Sequence, residues 1–308
     1  MANRRIKCKL FDLSGHLLEY QSVWRLQKAL MEDSNRLFKS RQQAAPATDT
    51  DDGIMDCLIL VQHKSVYTLG RGATKDNLKF KPDSNCPHEV VRVERGGEVT
   101  WHGPGQLVAY PIFNLNNHKR DLHWFTEQLE QTAINTIESY GIQGERSEVN
   151  TGVWVGKNKV SAVGVTASRW VTMHGISLNV HCDLASFAEI IPCGIDLPDR
   201  GVCSIQSILL DSNDNNDSIG SNDSNDSSSG GCSAGSESGR AIEIPSIEQV
   251  SAKWTAAFAD VFGLEVVHPS FLDQKCSIHK EYSEAVFQSL VKLVEDKHPE
   301  SIPHEIFP

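Results

Sequence analysis

Nothing in the 308 residues approaches eighteen consecutive apolar residues, which excludes a membrane-spanning helix. The opening MANRRIKCKLFDL lacks the apolar core of a secretory signal peptide. It also leaves only about a dozen residues before the first expected strand, short for a transit peptide, although Arg4, Arg5 and Lys7 suit one. A soluble chain with no membrane partner is expected. Excess positive charge is missing too: 29 Lys and Arg against 40 Asp and Glu give a formal net charge of −11, which argues against nucleic acid as a partner. None of the eight cysteines forms a CxxC pair, so a structural zinc site is not expected, and without a signal peptide neither is a disulfide framework. Cys8, Cys57, Cys182 and Cys203 are expected to be small buried hydrophobes. There is no GxxxxGK[ST] motif, and Gly96-Gly97 lacks the spacing of a dinucleotide fingerprint.

What is there divides unevenly. Between Asp211 and Ile244 lie seven acidic residues and one arginine, more than half of the net charge, in a Ser/Asn/Asp/Gly stretch almost free of large apolar groups. Such a stretch cannot bury enough surface to offset its ordering entropy. We expect residues 1–209 to form the main part of one domain, 210–244 to be a disordered low-complexity insertion, and 245–308 to be a helical C-terminal part of the same domain. Counting from Asp211, Asn216 and Asn222 stand where a calcium loop needs Gly and Glu. Arg71, Lys75, Lys79, Arg92 and Arg95 form a candidate basic patch for an acidic partner, with scattered solvated charge as the alternative.

Apolar spacing predicts strands within 10–20 and over 56–62, 107–115, 152–155, 160–165 and 175–180. It predicts helices over 21–38, 122–140, 246–262 and 282–297, with a polar loop over 42–52. Strands and helices do not alternate regularly, so a mixed or antiparallel sheet packed with helices, an α+β fold, is expected.

The densest chemistry lies between Glu94 and Leu115, ERGGEVTWHGPGQLVAYPIFNL, where a polar loop with Gly96, Gly97, Gly103 and Gly105 runs into an apolar strand. Gly103-Pro104-Gly105 places Pro at i+1 and Gly at i+2 of a type II turn. Pro111 inside the strand predicts an edge position or a bulge. A glycine-rich turn in a buried sheet is the plain alternative to a binding site here.

The string R-G-G-E-V-T-W-H-G-P-G-Q-L-V-A-Y strongly resembles the signature of the lipoyl(octanoyl) transferase family, enzymes that move an octanoyl group from acyl carrier protein to a lysine of a target domain. The resemblance continues in Val66–Gly72, Thr151–Gly156, Lys159–Gly164, His174–Val180 and Ile191–Gly194. It implies an α+β fold related to the catalytic domains of biotin and lipoate protein ligases, and no cofactor or metal. By the same resemblance Cys193 aligns with the acyl-thioester cysteine and Lys159 with the catalytic lysine. The substrate would be lined by Arg95, Gly96, Gly97, Glu98, Val99, Thr100, Trp101 and His102, by Ala162, Val163 and Gly164, and by Gly175, Ile176 and Ser177. Trp101, Ala162-Val163 and Ile176-Ser177 depart from the usual family residues. His174 and Gln106 are supporting candidates, and His102 and His174 are each placed either as donors to the thioester or as structural histidines.

A thiol suits this reaction because attack on a thioester exchanges one thioester for another and retains the activated acyl group. A nearby ammonium would favour the thiolate. The octanoyl chain is expected to need an apolar tunnel. The implied partners are octanoyl-acyl carrier protein as donor and lipoyl domains of 2-oxoacid dehydrogenases or the glycine cleavage H protein as acceptor, with a monomeric enzyme. Asp121–Trp124 and Val163–Thr172 resemble plastid-type plant members, which implies a plastid address, with the mitochondrion as alternative. The rival readings are an ATP-dependent lipoate or biotin ligase and a non-catalytic acyl-carrier-binding protein.

Overall fold

The computed structural model describes residues 5–43, 56–82, 86, 88–148, 150–191, 200–217 and 243–267. The strands are β1 (Ile6–Leu18), β2 (Asp56–His63), β3 (Val66–Leu69), β4 (Glu89–Arg92), β5 (Val99–His102), β6 (Gln106–Ile112), β7 (Glu145–Arg146), β8 (Val153–Val155), β9 (Asn158–Ser168), β10 (Val171–Asn179), β11 (Gly201–Val202) and β12 (Leu264–Val267). The helices are α1 (Tyr20–Gln43), α2 (Leu122–Glu138), α3 (Ile205–Asp217) and α4 (Ile247–Phe262). Nine strands form one sheet in the order β12-β1-β2-β6-β10-β9-β8-β7, with β11 alongside β9, and β4-β3-β5 form a second. β1 runs parallel to β2 and β12, whereas β2, β6, β10, β9 and β8 are antiparallel in succession, so the sheet is mixed and the fold α+β.

β2 explains why the large sheet has two covered faces. Leu58 and Leu60 join Phe125, Leu129, Trp254 and Phe258 of α2 and α4 in one core, while Cys57, Ile59 and Val61 join Tyr20, Val23 and Leu26 of α1 in another. A strand buried on both faces reads as a continuous apolar run. Each such Leu or Phe contributes roughly 2 kcal/mol through its removal from water. A third core, with Tyr67, Leu69, Trp101 and Phe187, lies around the small sheet. α2 is capped by Asp121, which accepts from the backbone N–H of His123 and Trp124, and α4 by a Ser246/Gln249 capping box and by Gly263 at φ 64°.

Several expectations are corrected. Pro111 is not on an edge, because β6 lies between β2 and β10. The β6–β10 ladder stops at Ala109↔Ile176, and beyond it Thr172 Oγ1 donates to the Pro111 carbonyl and accepts the Phe113 N–H. A side chain thus replaces the ladder where proline has no N–H to give, and because Ala109↔Ile176 and Asn114↔Val171 are in the same register there is no bulge at Pro111 either. The end of the glycine-rich segment, Val99–His102, is a strand rather than loop. α3 carries helix through Asp217, past the expected end of the ordered part, because Ile205, Ile208 and Leu209 anchor it to the core and its polar end extends from them. The C-terminal part also contains a strand, β12. α1 occupies the first two residues of the expected 42–52 loop. The rest of that loop, residues 218–242 of the expected insertion, the helix expected over 282–297 and Cys193 lie outside the described residues.

Candidate active site

The glycine-rich segment is pinned on both sides. Arg95 O, Gly97 O and Glu98 O accept from the N–H groups of Arg71, Gly72 and Gly70, and Gly96 N–H donates to Val165 O of β9. A side chain at Gly70 would put its Cβ 2.4 Å from Gly97 O, so the two turns approach as only glycine allows. Arg95 is 7% exposed, and its guanidinium donates to Thr68 O, Thr68 Oγ1 and Gly96 O. Its Nε–H has no partner among the described residues.

Gly105, at φ 80°, and the Gln106 N–H→Gly103 O bond form the expected type II turn. It launches Gln106 into a directional relay. Asn179 Nδ2 donates to Cys203 O, Gln106 Nε2 donates to Asn179 Oδ1 and Trp101 O, and Gln106 Oε1 therefore faces His102 Nδ1 at 2.7 Å as an acceptor. Both anchors are backbone carbonyls, so every member's orientation follows. His102 carries its hydrogen on Nδ1, and Nε2 presents a lone pair. Burial, and then His63, hold His102 well below the usual histidine pKa. Its one N–H is spent on Gln106, which supports the structural reading of His102.

His174 has the left-handed φ of 62° and its N–H donates to Gln27 Oε1. Its Nδ1 is 3.5 Å from Tyr20 Oη, and burial lowers its pKa. Behind it, His63 Nδ1 bonds Leu18 O and Nε2 meets Tyr110 Oη at 2.8 Å, and burial takes the His63 pKa down to about 4.

These elements surround a cavity of about 890 Å³. Its walls bring together Arg95–Thr100, His102, Lys159, Ala162–Gly164, His174 and Gly175–Ser177. Trp101 is not among them: its indole Nε1 donates to Ser65 Oγ and its ring packs edge-on against Phe187. Gln106 sits behind His102 instead of lining the space. Lys159 is 6% exposed, donates to Thr151 O at 3.1 Å and lies 4.8 Å above the Trp154 ring. Gly152 makes room for it: an added Cβ would fall 2.4 Å from Ser161 O and 3.4 Å from Lys159 Cε. Glu130 holds that turn by accepting the Gly152 N–H, with Arg146 Nε 3.3 Å from its carboxylate. The guanidinium of Arg200, where the described chain resumes, lies 5.2 Å from the same Trp154 ring.

The expected apolar tunnel is only partly apolar. Val99, Val108, Val163, Ile176 and Phe187 alternate with Tyr20, Thr100, Tyr110, Ser177 and Asn179. Tyr20, Val108, Tyr110, Asn179, Phe187 and Glu130 were not expected in the site. For Val108 and Tyr110 a signal existed, since residues two apart share a strand face with Gln106. Tyr20 opens a helix and gives none.

The chain matches the family model described as lipoyl protein ligase A/B catalytic domain over residues 19–219. It is 44% identical over 211 residues to the chloroplastic octanoyltransferase LIP2p2 of Arabidopsis thaliana, covering 68% of this chain and 71% of the relative. To an octanoyltransferase of Thermosynechococcus vestitus it is 38% identical, covering 83% of this chain and 92% of the relative. A putative lipoate protein ligase from T. acidophilum, solved with bound lipoic acid, superposes with a TM-score of 0.55 at 11% identity, covering 96% of this chain and 95% of that one. At that identity the fold is what the two share.

Proposed function

Since this chain belongs to the lipoyl protein ligase A/B catalytic-domain family, we propose that its reaction runs from octanoyl-acyl carrier protein, through a thioester on Cys193, to the lysine of a lipoyl domain. The chain is an octanoyltransferase of protein lipoylation, of plant plastid type. In the proposed course Lys159 favours the Cys193 thiolate, which attacks the carrier thioester: the carrier's C–S bond breaks, the Cys193 C–S bond forms, and the carrier leaves as its thiol, taking its proton from the Lys159 ammonium. The target lysine then attacks as the free amine. Its C–N bond forms, the Cys193 C–S bond breaks, and Lys159, once deprotonated, takes the proton released. The backbone of Ala162–Gly164 and Gly175–Ser177 holds the acyl chain, and no metal or nucleotide enters. The plastid is the proposed address, following the chloroplastic Arabidopsis relative, and the monomer is the proposed state.

The observation that carries the reading is that Lys159 shares one cavity with the three glycine-containing segments. Intact-mass analysis after incubation with octanoyl-acyl carrier protein tests it. We expect a gain of about 126 Da on the wild type, as octanoyl replaces hydrogen, and none on Cys193→Ala. Multiple turnover by Cys193→Ala would overturn the thioester route.

A further inference from the structure

Tyr20, Tyr110, His102 and His174 line one part of the cavity together, with the Tyr20 ring stacked on His102 and its Oη 3.5 Å from His174 Nδ1. Strand register gives the distance from Lys159. Val165 of β9 pairs with His174, and the six residues from Lys159 to Val165 span about 20 Å at roughly 3.3 Å each. Ala109 pairs with Ile176, so Tyr110 comes level with Gly175 and its partner Gly164. An extended eight-carbon chain reaches about 8 Å, scaling from roughly 3.5 Å per three backbone bonds. Lying along Ala162–Gly164, whose three residues span about that length, with its carbonyl toward the Lys159 side chain, it ends level with Gly164 and Gly175, among the phenols and imidazoles.

Four buried polar rings are an unusual terminus for a hydrocarbon, and their hydrogen bonds are almost all spent. His63 takes Tyr110, His174 Nδ1 faces Tyr20, and Gln106 takes His102 Nδ1. One acceptor is left over. His102 Nε2 has no partner among the described residues and, unlike His174 Nε2, is not sealed away from solvent. The relay fixes it as a lone pair, able to accept and not to donate.

We propose that this part of the cavity is a subsite for a hydrogen-bond donor at the far end of the acyl chain, so that the enzyme also transfers medium-chain acyl groups with a hydroxyl on the terminal carbon, which His102 Nε2 accepts. The inference rests on the octanoyltransferase reading. The reaction at the carbonyl is unchanged: a thioester C–S bond breaks, an amide C–N bond forms, the amine's proton ends on the departing thiol, and the terminal hydroxyl keeps all its atoms. With octanoyl a water occupies the acceptor, and the hydroxyl takes that water's place.

The test compares kcat/KM for octanoyl- and 8-hydroxyoctanoyl-acyl carrier protein, with a lipoyl domain lacking its acyl group as acceptor. The wild type is expected to disfavour the hydroxyl by less than about tenfold, since its partner is in place. In His102→Leu, where the hydroxyl is buried without an acceptor, that ratio is expected to worsen by about tenfold or more. A wild type that rejects the hydroxyl chain tenfold or more, or a folded His102→Leu whose ratio worsens by less, overturns the proposal. A wild type that transfers neither group overturns the octanoyltransferase reading and the proposal with it. Should His102→Leu not fold, the ¹⁵N resonance of wild-type His102 Nε2 decides: it moves with 8-hydroxyoctanoic acid and not with octanoic acid, and equal response to both overturns the subsite.

Discussion

At Lys159 a charge role and a proton-transfer role separate by substitution. Lys159→Ala removes both, so octanoyl-Cys193 should form slowly, with transfer reduced by about 10²–10⁴-fold. Lys159→Arg keeps a charge that does not deprotonate in proteins, so it should accumulate octanoyl-Cys193 without passing it on. Single-turnover acylation and transfer, measured separately, check this, and wild-type transfer in Lys159→Ala would remove Lys159 from the mechanism. His63 makes a different claim. Its pKa is lowered from 6.5 to about 4 by burial, so between those values the unfolded chain binds more protons than the native one and stability rises with pH. The contribution is complete above pH 6.5 and lost as pH falls toward 4, to an extent of about 3 kcal/mol. Burial lowers His102 and His174 in the same direction. Urea midpoints should therefore drop across that window, and His63→Gln should flatten the slope; a slope unchanged in His63→Gln would show that other groups carry it.

Among the elements, β6 and β10 are joined most tightly where the ladder breaks. At Gly175 an added Cβ would lie 2.1 Å from Ala109 O and 2.8 Å from Pro111 Cδ. Both are backbone or ring atoms of the central strand with nowhere to move. Gly175→Ala should accordingly cost on the order of 1–3 kcal/mol by overpacking and lower activity along with the melting temperature. Full stability with lost activity would instead place the effect in the substrate path. The glycine-rich turn, α2, α4 and most of β2 were legible in the sequence because apolar period and turn chemistry are local, whereas Gly175 was singled out by the family resemblance. What was not legible is pairing. That Pro111 sits in a central strand depends on Thr172, sixty residues on, supplying the missing bonds. That Trp101 faces away from the cavity while His102 faces into it follows from β5 being a strand, and Tyr20 enters the site only because α1 packs across β6 and β10.

For the molecule as a whole, the proposed acidic donor protein would have to dock on a chain with a net charge of −11. Of the five basic residues expected to meet it, Arg95 is buried, Arg92 donates to Gly70 O and Ala73 O, and Arg71 donates to Thr166. Arg71, Lys75 and Lys79 are exposed. Lys75→Glu/Lys79→Glu should therefore raise KM for octanoyl-acyl carrier protein severalfold, more at low salt than at high, and leave KM for octanoyl-pantetheine unchanged. Equal effects on both donors would rule out a docking role. The pairing of β1 with β12, Ile6 beside Leu264, has a consequence in time. The outer edge of β1 is paired over Ile6–Lys9 by one of the last described strands, so a chain still emerging from the ribosome presents that stretch unpaired until residue 267 is free. Contacts so far apart in sequence slow folding, and an open strand edge invites other chains to pair with it. A product stopped just after α4 would keep the cavity and both helical layers, yet it would carry that open edge permanently and be prone to aggregate.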